Sequence, residues 1–266
     1  MKKLSFLAVA LTAMIFAACG GNKSNQSIEE ADTLKTFQQE QIEAAIKLNF
    51  DSLAVQVGKL KQLPIRMKDG KIALTDEEMQ VKPNYLLEPG IAEKATMLAE
   101  QYRVLTALQV DREIASLYDM PVADYDNEIA KLVVDINDPS FKAVEGSSDI
   151  YEASQDLYNA MDENGRINFF WQIVSTSLVE QLYVVSQNTD KFLSAFDDEA
   201  AANVSLRIIL IQDAINRLTE YDPEIIPVAE AFDPLTAINA TTVDELKNQL
   251  DDSKDLIAAA RRGLLE

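Results

Sequence analysis

The chain of 266 residues contains a single cysteine, Cys19, and no histidine. The absence of histidine excludes Ser-His and Cys-His nucleophile pairs, histidine general bases and the commonest zinc ligands. Carboxylates, lysines, tyrosines and serines are what remains for acid–base chemistry. The one thiol is therefore the most distinctive reactive group of the sequence, and the residues around it indicate its role.

Cys19 follows a segment with the layout of a secretion signal. Two lysines give a basic start, and an apolar run extends to Ala18 that is too short to span a bilayer. The letters "FAAC" at 16–19 resemble the bacterial lipobox, in which the thiol is diacylated, the signal is removed and the new N-terminus is acylated, for example with palmitate. We therefore predict a lipoprotein signal peptide over residues 1–18 and lipidation of Cys19. The alternative is a secreted protein with a stray cysteine at its cleavage site.

Residues 19–33 begin with "CGGNKSNQS", a polar segment with glycines that predicts a flexible tether. Acyl chains on Cys19 would make membrane attachment effectively permanent, because each buried methylene contributes about 0.8 kcal/mol. Gly20 stands where an aspartate often signals retention in the inner membrane, and the tether lacks the acidic cluster of a surface-export tag. We expect an outer-membrane location facing the periplasm, with the membrane and envelope proteins as partners.

The chain is strongly acidic, with 24 basic and 44 acidic residues and a net charge of −20. Such a charge repels nucleic acid and anionic lipid surfaces, and it excludes nucleic acid as a partner. The hydrophobic fraction of 47% argues against disorder. Once Cys19 is acylated the chain has no free thiol, so its stability must come from a packed core. A chain of this length can build one.

Apolar residues recur at helical spacing along nearly the whole chain, beginning with steps of three and four between residues 42 and 60. Strand-like alternation does not persist. The pattern predicts one all-α domain over residues 34–266, a multi-helix antiparallel bundle of about five to seven helices. Capping-box letters occur at 75–78 ("TDEE") and 242–245 ("TVDE"). The first lies inside a long connection, 64–90, of a length that is often functional or mobile.

The most apolar stretch, 167–187, predicts the central helix of the bundle, and 198–221 predicts its partner. Glu180 and Arg207 are each the only charge within an apolar run of these two segments. If the helices are neighbours, the two side chains could form a buried polar pair, which more often specifies register than adds stability. The functional alternative is a polar point lining an internal groove.

Motifs for metal or cofactor chemistry are not present. The stretch "AMDENGR" at 160–166 faintly resembles a calcium loop, but Ala160 occupies the first ligand position and Trp171 the twelfth, where a glutamate is needed. A helix that ends at Gly165 explains the same letters. We therefore predict no metal and no cofactor. Paired carboxylates could hydrolyse a glycan, but nothing selects a pair among 44 acids, so no catalytic residue is predicted.

Two segments resemble an uncharacterised all-helical lipoprotein family of Bacteroidota. They are "REIASLYDMPVADYDNEIAKL" and the stretch ending "VEQLYVVSQ", in which Glu180, Leu182 and Tyr183 fit a motif of that family. The resemblance implies an all-α fold and an envelope location, and no activity. "DTL" and "DSL" also resemble the short O-glycosylation acceptor of exported proteins in that group, with Thr33 and Ser52 as acceptors.

Together these observations favour a membrane-anchored, periplasm-facing helical lipoprotein that acts as a binding or scaffolding module. Two alternatives stay open. One is an envelope enzyme that uses two carboxylates on a glycan, which would require two acids to converge in a pocket. The other is a cell-surface accessory protein of a nutrient-uptake system.

Overall fold

The computed structural model describes residues 39–52, 74–144, 154–194, 196–220 and 222–265. The helices from Ile42 onward belong to one compact unit, Ile42–Glu266. The predicted signal peptide, Cys19 and Thr33 lie outside the described residues.

The described residues are helical and contain no strand, which confirms the prediction of an all-α fold. Eleven α-helical segments lie within the described ranges: α1 (39–52), α2 (Asp76–Gln80), α3 (Leu98–Leu117), α4 (Ala123–Ile136), α5 (Ser154–Glu163), α6 (Ile167–Gln187), α7 (Thr189–Phe192), α8 (Asp198–Leu218), α9 (Ile226–Phe232), α10 (Val243–Asp252) and α11 (Lys254–Leu265). Four 3-10 helices accompany them: Pro89–Lys94, Pro139–Val144, Pro223–Ile225 and Asp233–Ala237.

Helix ends follow local side-chain chemistry. Thr75 and Glu78 form the predicted capping box of α2, and the Thr242 hydroxyl accepts a hydrogen bond from the backbone of Glu245 at the start of α10. The Asp197 carboxylate caps α8 in the same way. After α5, Gly165 adopts a φ of +66°, a left-handed conformation that suits glycine and ends the helix as predicted.

The central pair, α3 and α6, lies side by side and runs parallel. Near their starts the Tyr102 ring stacks on Phe169 at 4.6 Å between centroids, and Arg103 Nη1 donates to Gln172 Oε1 at 2.6 Å. Two turns later in both helices, Asp111 and Glu180 bind the same nitrogen, Arg261 Nη2, at 3.2 and 2.6 Å. Because the contacts follow the same order along both helices, their directions agree.

Two other helices run against this pair. α11 is antiparallel to α3, because the backbone oxygen of Leu264 accepts from Arg103 while Arg261, one turn earlier, reaches Asp111. α8 is antiparallel to α6, because Asn168 at the start of α6 donates to Asp222 just beyond the end of α8. The result is a core in which the neighbouring helices bury most of the side chains of α6.

α6 occupies the centre of this core, as its apolar sequence predicts. Its consecutive aromatic residues Phe169, Phe170 and Trp171 are all buried, with exposed fractions of 8%, 1% and 0%. From α1, Phe50 stacks on Tyr158 at 3.8 Å and meets Phe170 edge-on at 5.4 Å. Such burial of large aromatic side chains supplies much of the hydrophobic stabilisation of a bundle.

Candidate functional site: a buried acid–arginine cluster

Three charged side chains meet inside the core where α3, α6 and α11 come together. They are Asp111 of α3, Glu180 of α6 and Arg261 of α11, and we call them the acid–arginine cluster. The side chains of Asp111 and Glu180 are 0% and 1% exposed, and that of Arg261 is 11% exposed. Charged groups are almost never buried so deeply unless they are paired.

Arg261 binds both acids. Its Nε donates to Glu180 Oε2 at 2.8 Å and its Nη2 to Glu180 Oε1 at 2.6 Å, so the two groups form a bidentate pair. Nη2 also donates to Asp111 Oδ2 at 3.2 Å. A planar guanidinium matches a carboxylate in this fork geometry, which makes the pair stronger than a single charged hydrogen bond.

The ion pair of Glu180 corrects the partner predicted from the sequence. Glu180 is buried as expected, but its carboxylate lies on Arg261 and not on the predicted Arg207, which is itself buried on α8 at 1% exposure. The physical reason is the geometry of packing. The face of α6 that carries Glu180 is turned toward α3 and α11, as the neighbouring contact of Gln172 with Arg103 also shows.

The cluster also holds the chain segment that precedes the first 3-10 helix. Leu87 N donates to Asp111 Oδ2 at 2.6 Å, and Arg261 Nη1 donates to the backbone oxygen of Tyr85 at 3.1 Å. From α4, the Tyr125 hydroxyl donates to the oxygen of Leu87 at 2.6 Å. Backbone groups of residues 85–87 are thereby satisfied by side chains of three helices, which fixes this part of the predicted connection.

Two tyrosines cover the cluster toward the surface. The Arg261 guanidinium lies 4.1 Å from the centre of the Tyr183 ring, a cation–π contact, and Tyr85 meets Tyr183 edge-on at 6.3 Å. Both tyrosines are partly exposed. They shield the ion pairs from water, and a lower local dielectric strengthens charge interactions.

Burial dominates the electrostatics of this site. It raises the pKa of Asp111 well above the usual range, and the adjacent Glu180 charge raises it further. Burial also raises the pKa of Glu180, against the opposing effect of Arg261. Burial lowers the pKa of Arg261, but its bonds to Glu180 outweigh this and leave it above the ordinary value. The pKa of Tyr125 rises to about 12, again mainly through burial.

Two further polar groupings hold α3 in place, one against α6 and α11 and the other against the segment that follows α4. Arg103, mostly buried, donates to the oxygen of Leu264 at 2.6 Å as well as to Gln172. At the start of α3, the Tyr102 hydroxyl donates to Asp138, whose other oxygen accepts from the backbone of Ser140 at 2.8 Å. These contacts join elements that are distant in sequence, and their role is structural.

The enclosure of the cluster limits what it can do chemically. Arg261 binds both carboxyl groups, and the Leu87 amide also binds that of Asp111, so both acids are held in place within the core. Across the residues that the structure describes, no group of three or more histidine, cysteine or carboxylate side chains is placed to hold a metal ion. The arrangement can bind a proton, hold helices together and fix a loop.

The remaining predicted site residue in the described ranges is Ser52. It lies exposed on α1, and its hydroxyl donates to the backbone oxygen of Leu48 at 2.9 Å. Its use as a glycosylation acceptor stays a prediction, as do the roles of Cys19 and Thr33.

Sequence reasoning missed Asp111 and Arg261. A signal for Asp111 exists in the sequence, because the positions three and four residues before and after it are all apolar, namely Ala107, Leu108, Ile114 and Ala115. An acid on such a face requires a partner. No such signal exists for Arg261. It is followed directly by Arg262, and two successive arginines at the end of a helix look like a basic turn that faces solvent.

Among the described helices, none is both long enough and apolar enough to cross a membrane. Comparison of the chain with protein-family models, curated proteins and solved structures finds no match.

Proposed function

We propose that the mature protein is a lipid-anchored helical lipoprotein, facing the periplasm from the outer membrane, that acts as a binding or scaffolding module of the cell envelope. One observation carries the proposal: the only cysteine directly follows the small residues that end a signal-like segment. Acylation of Cys19 would hold the chain at the membrane. The polar tether after it would leave the helical unit accessible to other envelope components.

The way in which Arg261 holds the two buried acids supports a binding or scaffolding role over the enzyme alternative. Carboxylate-based glycoside hydrolysis needs two carboxyl groups that flank the scissile bond of a bound glycan. Asp111 and Glu180 converge, but both are enclosed and held by Arg261. A rigid, internally braced unit suits a module whose outer faces meet other molecules.

The anchor is tested by metabolic labelling with a palmitate analogue in cells producing the wild type, Cys19→Ser or the control Ser24→Ala. We expect label and membrane sedimentation for the wild type and Ser24→Ala. Cys19→Ser should lose the label and accumulate as the larger unprocessed precursor. Label retained by Cys19→Ser, or absent from the wild type, would contradict lipidation.

Location and binding require a second experiment. External protease should spare the protein in intact cells and degrade it once the outer membrane is permeabilised; degradation in intact cells would favour the surface accessory role.

Crosslinking in native membranes should then produce discrete higher-mass adducts of the wild type. Their absence, with the protein present at its native level, would argue against a binding or scaffolding module.

A further inference from the structure

The acid–arginine cluster contains two carboxyl groups and one guanidinium. Asp111 and Glu180 are within hydrogen-bonding reach of each other, and both are removed from water. Two adjacent carboxylates in such a place cannot both ionise without a large electrostatic cost, and one of them normally keeps its proton. With one proton retained, the cluster is electrically neutral.

The hydrogen bonds indicate which group holds that proton. Glu180 receives a donor from Arg261 on each oxygen, as an ionised carboxylate requires. Asp111 Oδ2 receives two donors, from Leu87 N and Arg261 Nη2. Asp111 Oδ1 is buried and has no donor among the described residues. A buried oxygen without a donor is costly as an acceptor, but a protonated Oδ1 becomes a donor, with the Glu180 carboxylate as its acceptor.

We propose that Asp111 is a proton-binding site: at neutral pH it is a carboxylic acid with its proton on Oδ1, donated to Glu180. This proton completes a latch between α3 and α6, at the carboxyl group to which residues 85–87 and α11 are also bound. The Asp111–Glu180 bond joins the two parallel helices, Leu87 N ties the segment to the same carboxyl group, and Arg261 adds α11.

The surroundings of Asp111 favour the neutral acid. Burial and the Glu180 charge both raise its pKa, while Arg261 and the Leu87 amide oppose them. The titratable groups that interact with Asp111 directly, or with a group that does, are Tyr118 just after α3, Tyr85 and Glu88 on the preceding segment, Tyr125 on α4, Glu180 and Tyr183 on α6, and Arg261 on α11. Arg261 is the one cation in this set, and it already forms a bidentate ion pair with Glu180.

Loss of the proton would weaken the latch. As pH rises, Asp111 releases its proton to solvent, the Asp111–Glu180 hydrogen bond is lost, and two carboxylates repel each other across one guanidinium. The contact that weakens is the one between α3 and α6, because the Leu87 amide and Arg261 favour the ionised carboxylate and keep their bonds to it. The latch is therefore closed at neutral and mildly acidic pH and opens in alkali.

Infrared spectroscopy of the full chain tests the proton directly. Wild-type protein at neutral pH should show a carboxylic-acid carbonyl band that shifts when aspartate carries a 13C label on its side-chain carboxyl, and that disappears reversibly in alkali. Asp111→Asn should lack the band, and Asp126→Asn, an exposed control, should retain it. No such band in the wild type, or a band that shifts only with labelled glutamate, would overturn the assignment, and neither result depends on a variant.

A pair of variants tests the latch. Asparagine reproduces the donor and acceptor of a protonated aspartate and stays neutral in the unfolded chain. Asp111→Asn should therefore be at least as stable as the wild type at neutral pH, and protection of the α3 and α6 amides around positions 111 and 180 should not change between pH 7 and alkaline pH. Glu180→Gln removes the charge that Arg261 needs and should lose stability. Equal losses in the two variants would show that Asp111 is ionised. Wild-type protection of the α3 and α6 amides around Asp111 and Glu180, corrected for intrinsic exchange, should fall in alkali, and constant protection would exclude the latch.

Discussion

Arg261 is the residue on which the buried charges depend. It bonds to Glu180 through two nitrogens, to Asp111 and to the Tyr85 backbone, and it lies on the face of Tyr183. Removing one partner of a buried ion pair leaves the other charge uncompensated, which costs more than the pair itself contributes. The adjacent Arg262 is exposed and provides an internal comparison.

We predict that Arg261→Met lowers the free energy of unfolding by about 3–5 kcal/mol, because Glu180 would remain buried without its cation. Arg262→Met, the same change one residue later, should alter it by no more than about 0.5 kcal/mol. Urea denaturation at neutral pH measures both. Similar values for the two variants would mean that the ion pairs do not stabilise the core.

At the scale of elements, the molecule depends on how α11 docks against the parallel pair α3 and α6. Arg103 donates from α3 to the oxygen of Leu264, so one side chain of α3 supports the final turn of α11. The last carbonyl groups of a helix have no partner within the helix and need one elsewhere. Arg112, on the same helix, instead makes an exposed contact with Asp126 at 2.9 Å.

We predict that Arg103→Met selectively reduces hydrogen-exchange protection in α11, since it removes the partner of Leu264 and leaves Gln172 without its donor. Protection in α8 should change little. Arg112→Met serves as the control, because exposed ion pairs contribute only about 0–1 kcal/mol. A uniform loss of protection throughout the unit would show that α11 does not open separately.

The sequence predicted where the helices lie better than it predicted which helices pack against each other. The boundaries of α6 and the start of α8 agree with the predicted segments, because apolar periodicity and capping residues are local signals. Short helices such as α7 escape periodicity, and the predicted last helix divides into α10 and α11 at Ser253, so the helix count is higher than five to seven. The cluster was missed because the partner of Glu180 depends on which helices pack together, and two successive arginines do not reveal which one is buried.

At the scale of the whole molecule, two kinds of acidic group set the pH dependence of the folding stability: those whose pKa the fold lowers and those whose pKa it raises. The hydrogen bond from Lys191 and that from the Thr75 backbone lower the pKa of Glu78. Partial burial raises the pKa of Asp213, but the bonds from Arg217 and Asn49 together outweigh it and leave this pKa below its usual value. Such groups stabilise the fold above their unfolded pKa, and this contribution is lost as pH falls through the folded pKa. Asp111 acts in the opposite sense, because its folded pKa is raised: its contribution is complete below the unfolded pKa and is lost as pH rises.

We therefore predict a stability maximum at mildly acidic pH, with losses below about pH 4 and again on the approach to neutral and alkaline pH. Urea denaturation across this range at constant ionic strength measures the profile. Repulsion among the acidic residues of a chain with net charge −20 acts in the same direction at high pH. Asp111→Asn separates the two effects, since it should reduce the loss of stability at neutral and alkaline pH. If the variant loses as much stability there as the wild type, the whole loss is due to surface charge.

The long sequence separations within the cluster have a kinetic consequence. Arg261 follows Asp111 by 150 residues and Glu180 by 81, so the acids obtain their cation only after large chain loops have closed. Loop closure of this length is entropically costly and slow relative to helix formation. Refolding should thus begin with α3 and α6 associated around protonated or hydrated acids, and the docking of α11 should be the late step that commits the chain to its native state.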